Sequence, residues 1–260
     1  MALTYAGYLE LEKILNAQHP QSEPPEHDEM LFIIIHQTYE LWFKQLVHEF
    51  DKVAGDFDEG RLFEALGTLR RCREILKTLV GQVDILETMT PTEFESFRDR
   101  LDTASGFQSV QFRIFEYQLG YKRKAMLEHL DPSWYGYDEA VRRLEVPSLY
   151  DHFYRFLVTQ GVAVPQRLLE RDVTQPVAPD EELQQSLLAA YRERPELVLV
   201  IEAMCDIDEG QQEWRYRHVK LVERTIGHKT GTGGSLGVEF LKKSLFKPVF
   251  PDLWEIRRYF

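Results

Sequence analysis

Apolar residues recur along most of the chain at the three-and-four spacing of a helix with one buried face. Alternating strand-like patterns and Asn-Gly or Asp-Gly hairpin turns do not occur. The predicted fold class is therefore all-α. A short helix within residues 1–15 carries Tyr5, Tyr8, Leu9 and Leu15 and runs into a polar, proline-bearing stretch over 16–28. The next segment, 29–53, contains the β-branched run Ile33, Ile34 and Ile35, which alone would suit a buried strand. Phe32, His36, Tyr39, Phe43, Leu46 and Phe50 continue it at helical spacing, so length decides for a helix. A further helix is predicted over 61–86, with Leu62, Ala65, Leu66, Leu69, Leu76 and Leu79 inward.

Thr90-Pro91-Thr92-Glu93 combines a capping-box pattern with proline at the first helical position and starts a short helix through Leu101. Ser105-Gly106 interrupts the pattern, which resumes over 107–119 and stops at Gly120. Residues 130–148 read as irregular, with a brief helix around 140–144. Helical patterns return over 149–161 and 180–192, and Pro195 opens a long helix to Gly227 with Leu197, Ile201, Met204, Trp214, His218 and Leu221 inward. No fixed-period repeat or low-complexity boundary divides the chain, so residues 1–260 are expected to form a single helical domain with an irregular insertion near 130–148.

Composition adds that this domain has room for a pocket. A chain of 260 residues buries about three quarters of its unfolded surface, and 16 Phe, 12 Tyr and 4 Trp are enough to line a cavity. A net charge of −12 with scattered basic residues argues against nucleic acid as a partner. The longest purely apolar run, 30–35, is far too short to span a membrane, and no charged-then-apolar leader is read, so a cytoplasmic location is expected. Cys72 and Cys205 form neither a CxxC pair nor a CxxCH haem attachment and read as ordinary reduced thiols.

Candidate chemistry narrows to single histidines. No Glu lies three residues before any of the eight, and His-Glu-x-x-His is missing, so the di-iron bundle and zinc hydrolase patterns are not met. A metal would have to be held by histidines on separate helices, which suits haem better than a bare ion. His36 follows an aromatic-aliphatic run and His218 lies four residues after Trp214, so each can face a buried pocket. Taken alone, each is read by default as a core histidine satisfied by a hydrogen bond, and a functional reading needs independent support. Arg215, Arg217 and Lys220 surround His218 and suit either the propionates of a haem or a solvated face. The remaining histidines, at 19, 27, 48, 129, 152 and 228, read as surface residues. Arg98, after Phe94 and Phe97, can fork onto a carboxylate or pair with Glu95 or Asp102. Glu40 reads as a helix-surface residue. The glycine-rich 231–237 lacks the Walker spacing and reads as a loop that closes on a ligand, with Thr232 supplying a hydroxyl, or as a flexible connector.

Six ordered blocks carry a resemblance across nearly the whole chain: LTYAGYL from Leu3, HDEMLFIIIHQTYELWFK from His27, TPTEFESFRDRL from Thr90, SGFQSVQFR from Ser105, WRYRH from Trp214 and GTGGSLGVEFL from Gly231. Together they resemble the haem-dependent tryptophan 2,3-dioxygenase family. The resemblance implies oxidative opening of the indole C2–C3 bond of L-tryptophan by O₂, with both oxygen atoms entering N-formylkynurenine, the first step of the kynurenine route. By position it implies a b-type haem with His218 as axial ligand, and His36 as the distal histidine facing the indole N–H. Arg98 becomes the carboxylate clamp, Thr232 the contact to ammonium and carboxylate, and Phe32 and Phe94 the walls of the indole pocket. Tyr5, Tyr8 and Leu9 match an element that completes a neighbouring subunit's pocket in a homotetramer, although they could also cover this chain's own core. Phe94 stands where some bacterial members carry tyrosine, and the family's N-terminal arm is usually longer than the few residues before Tyr5. The same scaffold would also suit a sister haem monooxygenase making a 2-oxindole from a substituted tryptophan. A haem carrier without turnover would need neither the Arg98 clamp nor the Thr232 loop.

Overall fold

The computed structural model describes residues 2–231 and 237–260, and among them every regular element is a helix. The N-terminal segment is two helices rather than one, α1 (Tyr5–Tyr8) and α2 (Leu11–Leu15), because Glu10 adopts a left-handed φ of 51° between them. After the proline-bearing linker comes α3 (His27–Asp58), longer at both ends than its apolar spacing predicts. Buried Glu29 anchors its first turn to the linker by accepting the backbone N–H of Gln21 (2.6 Å) and Ser22 (3.0 Å). The isoleucine run stays helical because the buried Phe43, Leu46, Phe50, Val53 and Phe57 continue one face for several turns.

α4 (Leu62–Leu86) returns antiparallel to α3: Tyr39 Oη donates to the Leu79 carbonyl at 2.8 Å, while Arg71 reaches back to Glu49 at 2.8 Å. α5 (Pro91–Arg98) has the expected capping box, Thr90 Oγ1 accepting from Glu93 N and Glu93 accepting from Thr90 N, and then tightens into a 3-10 turn at Asp99–Leu101. Thr90→Ala should therefore lower stability by about 1 kcal/mol, read as a fall in the urea midpoint with unchanged slope. α6 (Val110–Leu119) ends at Gly120, whose φ of 112° is a conformation an L side chain resists. In the stretch expected to be irregular, α7 (Tyr137–Glu145) packs on α6, so the helix there is longer than its apolar pattern announces.

α8 (Leu149–Thr159) packs on α3 and is followed by α9 (Gln166–Leu169) and α10 (Glu181–Glu193). The long α11 (Pro195–Ile226) lies parallel to α4, as the pairs Arg73–Asp206 and Arg217–Asp84 show. A Cβ at Gly210 would sit 3.3 Å from Leu76, so glycine lets these two helices close at mid-length. α12 (Val238–Lys242) and α13 (Pro251–Glu255) finish the chain. The main core lies among α3, α4, α8, α10 and α11, and a smaller apolar cluster gathers where α3, α4, α5 and α11 meet. No described helix is long and apolar enough to cross a membrane.

Candidate functional site

The smaller cluster is one wall of a cavity bounded by α3, α4, α5, α6, α11 and α12. Five residues singled out in the sequence converge on it: Phe32 and His36 from α3, Phe94 and Arg98 from α5, and His218 from α11. The Phe32 ring lies 5.7 Å from Phe94 and 5.6 Å from Phe97, and the Phe94 and Phe97 rings meet edge to face at 5.4 Å. Rings set at such angles offer both faces and edges to another aromatic ring.

His36 sits beside that wall, its ring centroid 4.1 Å from Phe32. Its Nδ1 lies 2.7 Å from the Phe32 carbonyl, an atom that can only accept, so Nδ1 carries the proton and Nε2 keeps its lone pair. Burial lowers the His36 pKa against that hydrogen bond and keeps the ring neutral. At His218 burial comes first, followed by the charges of His36 and Arg113, and the pKa is pushed down to about 4. Both imidazoles therefore offer lone pairs at neutral pH, and they are near enough to feel each other's charge.

The Arg98 side chain is 15% exposed. Its Nη2 donates to the Thr230 carbonyl at 2.8 Å and its Nη1 lies 3.7 Å from Glu95, which leaves donors for the cavity it lines. Deeper in, buried Glu116 receives Arg113, Arg123 (2.8 Å) and Arg215 (2.9 Å). Burial pushes the Glu116 carboxyl up, but the three guanidiniums outweigh it and hold the pKa below the usual carboxylate range. The Nε atoms of Arg113, Arg123 and Arg215 are all buried without a hydrogen-bond partner. The cluster therefore carries excess positive charge and spare donors.

Some expectations fail here. Of the three cations around His218 only Arg215 lines the cavity, because Arg217 turns away to Asp84 and Glu87, and Lys220 turns to Glu223. Glu40 is not a surface residue: α6 packs over that side of α3, Gln111 bonds its backbone carbonyl at 3.0 Å, and burial raises its carboxyl pKa against hydrogen bonds from Ser109 and Gln111. Tyr5 and Tyr8 are 76% and 71% exposed and Leu9 is half-buried, so the two tyrosines do not cover this chain's own core. Thr232 lies outside the described residues. Arg113, Glu116 and Arg123 were missed as site residues, although the Arg-x-x-Glu spacing at 113 and 116 inside a helix with otherwise apolar neighbours was a visible signal.

Fold and site together define an all-α protein whose helices enclose a cavity lined by aromatic rings, two histidines and arginines. The profile of the tryptophan 2,3-dioxygenase family matches residues 1–140 and 187–260, and all the cavity-lining residues fall within those segments. Tryptophan 2,3-dioxygenase of Herpetosiphon aurantiacus is 50% identical over 256 residues, covering 98% of each chain. That of Anaeromyxobacter sp. strain K is 52% identical over 98% of this chain and 96% of its own, and that of Bordetella pertussis is 43% identical over 98% and 90%. The chain belongs to the tryptophan 2,3-dioxygenase family.

Proposed function

We propose that this enzyme cleaves the indole C2–C3 bond of L-tryptophan with O₂ to give N-formylkynurenine, using a b-type haem held in the cavity. The observation that carries the reading is the convergence of His36, His218 and Arg98 on one cavity with Phe32 and Phe94, in a chain of this family. The residues fit such a cofactor. His218 offers a neutral nitrogen for iron, and the unpartnered Nε donors of Arg113, Arg123 and Arg215 suit the anionic carboxylates at a haem edge. Among the described residues no three His, Cys, Asp or Glu side chains gather as a bare-ion site would require. When bound, haem supplies the iron centre at which dioxygen is activated.

The chain's own residues then select and orient the substrate. Phe32 and Phe94 hold the indole face and exclude water, and His36 Nε2 accepts the indole N–H. Arg98 forks onto the carboxylate, and Thr232 adds a hydroxyl near the ammonium and carboxylate. Fixing a bimolecular encounter in this way makes the attack effectively intramolecular. Indole N–H is too weak an acid for a neutral imidazole to ionise readily, so His36 positions and does not abstract. His36→Ser should be slower but active. Because burial lowers the His36 pKa, its acceptor persists as pH falls through 6.5, and an acid limb of kcat/KM due to this residue lies below that value and disappears in the serine variant. Complete loss of turnover with tryptophan still bound, restored by added imidazole, would instead make His36 a base.

The exposed α1 supports a role outside its own subunit, with Tyr5, Tyr8 and Leu9 closing a neighbour's pocket in a cytoplasmic homotetramer. Mixing a subunit truncated over residues 2–9 with one carrying Arg98→Ala should raise activity above that of either parent, and no gain after full subunit exchange removes this role. The reaction itself is tested by mass spectrometry of the product from L-tryptophan under labelled O₂. Two labelled atoms in N-formylkynurenine are expected, whereas a single atom in an oxindole would place the chain with the monooxygenases.

A further inference from the structure

The two imidazoles share a sequence setting but are held by different forces. Each has an aromatic residue four positions before it, Phe32 for His36 and Trp214 for His218. His36 is held through Nδ1 by the Phe32 carbonyl, with the Phe32 ring tilted 39° to it. His218 makes no hydrogen bond among the described residues, and the Trp214 indole lies parallel to it, 3° between planes and 5.2 Å between centroids. Trp214 is itself enclosed by rings from two other helices: Phe43 at 5.8 Å and 88°, Tyr39 at 6.1 Å and 67°, and Phe112 at 5.0 Å and 45°. Phe43 in turn packs on Phe112 and Phe115, so the enclosure continues into the main core.

A histidine ligand is ordinarily oriented by a hydrogen bond from its second nitrogen, which fixes both tautomer and ring angle. Here the face of the ring is stacked on an indole, which restrains its plane from another direction. We propose that Trp214 is a positioning residue for the His218 imidazole, setting its ring plane by stacking and tying that plane through Tyr39 and Phe43 to α3, the helix that also carries His36. One rigid helix then governs both the iron-side and the substrate-side imidazole. The inference rests on His218 being the haem ligand.

The test uses the haem-loaded enzyme and two readouts other than activity: the iron–imidazole stretching band of the ferrous protein by resonance Raman, and the rate of haem loss to excess apomyoglobin. Trp214→Leu should broaden and shift the band and speed haem loss by about two- to tenfold, the range an aromatic pair contributes. Trp214→Phe, which keeps a ring, should retain a single band. Phe57→Leu, at a fully buried ring packed on Phe153 and Phe156 away from the cavity, should leave the band unchanged. If Trp214→Leu does not fold, Trp214→Met, which fills the space without a ring, is read in the same way. A band of unchanged position and width in the leucine or methionine variant, or an equal change in Phe57→Leu, overturns the proposal. His218→Ala separates the two levels. If it abolishes the band while the Trp214 variants leave it intact, only the stacking role falls, whereas an intact band in His218→Ala removes the ligand assignment itself.

Discussion

Replacing His218 with alanine is expected to abolish the histidine-ligated haem spectrum and with it essentially all turnover. His218 lies on the cavity wall in the third quarter of α11, with its ring stacked on Trp214 and its pKa pushed down to about 4 by burial and by the neighbouring charges of His36 and Arg113. A ligand nitrogen must be deprotonated, and those surroundings keep it so at neutral pH. The other cavity imidazole, His36, has its Nδ1 committed to the Phe32 carbonyl beside the aromatic wall. Both cysteine thiols lie away from the cavity lining, with Cys205 held by Arg257 and pushed up to about 11 by burial. Absorption spectra of the ferrous and ferric variant check the expectation. An unchanged five-coordinate, histidine-type spectrum with full activity would remove His218 from the iron.

Arg98→Ala is expected to lower kcat/KM for L-tryptophan at least about tenfold, because a charge-assisted hydrogen bond lost to a buried carboxylate costs on the order of 1.5–3 kcal/mol. Without substrate the guanidinium is steadied by the Thr230 carbonyl at 2.8 Å and by Glu95 at 3.7 Å, which aims it from the end of α5 into the cavity without neutralising it fully. Lysine should not rescue it, since a point charge cannot reproduce the planar fork. The preference for tryptophan over its decarboxylated analogue should also collapse in the alanine variant. Turnover of tryptophan at the unmodified rate, with that preference intact, would place the carboxylate elsewhere.

Much of this site was legible in the residue order. The capping box at Thr90, the stop at Gly120 and the long α11 all follow from local chemistry, in which side chains satisfy helix-end groups or adopt the one backbone angle available. Aromatic neighbours at helical spacing put His36, Arg98 and His218 on inward faces, but only the family resemblance turns that placement into a role. Glu40 was misjudged because that spacing says which face is apolar but not which neighbouring helix covers the rest. For Arg215, Arg217 and Lys220 a solvated face is the default reading, and it holds for Arg217 and Lys220 but not for buried Arg215, because successive helix positions are about 100° apart and meet different surroundings.

Residue order therefore carries the local part: an all-α chain, the approximate bounds of its longer helices, the aromatic residues beside each key histidine, and the family blocks. Which of these side chains meet is settled by the packing of helices far apart in the chain. The antiparallel pairing of α3 with α4 and the parallel run of α11 beside α4 bring residues 32, 98, 116 and 218 to one cavity, and they gather three arginines on a single carboxylate. The same packing leaves Tyr5 and Tyr8 exposed. Helix formation is decided by spacing and end groups within a few residues, but a cavity is what remains after helices distant in sequence have packed, and the charge balance inside it depends on which of them arrive together.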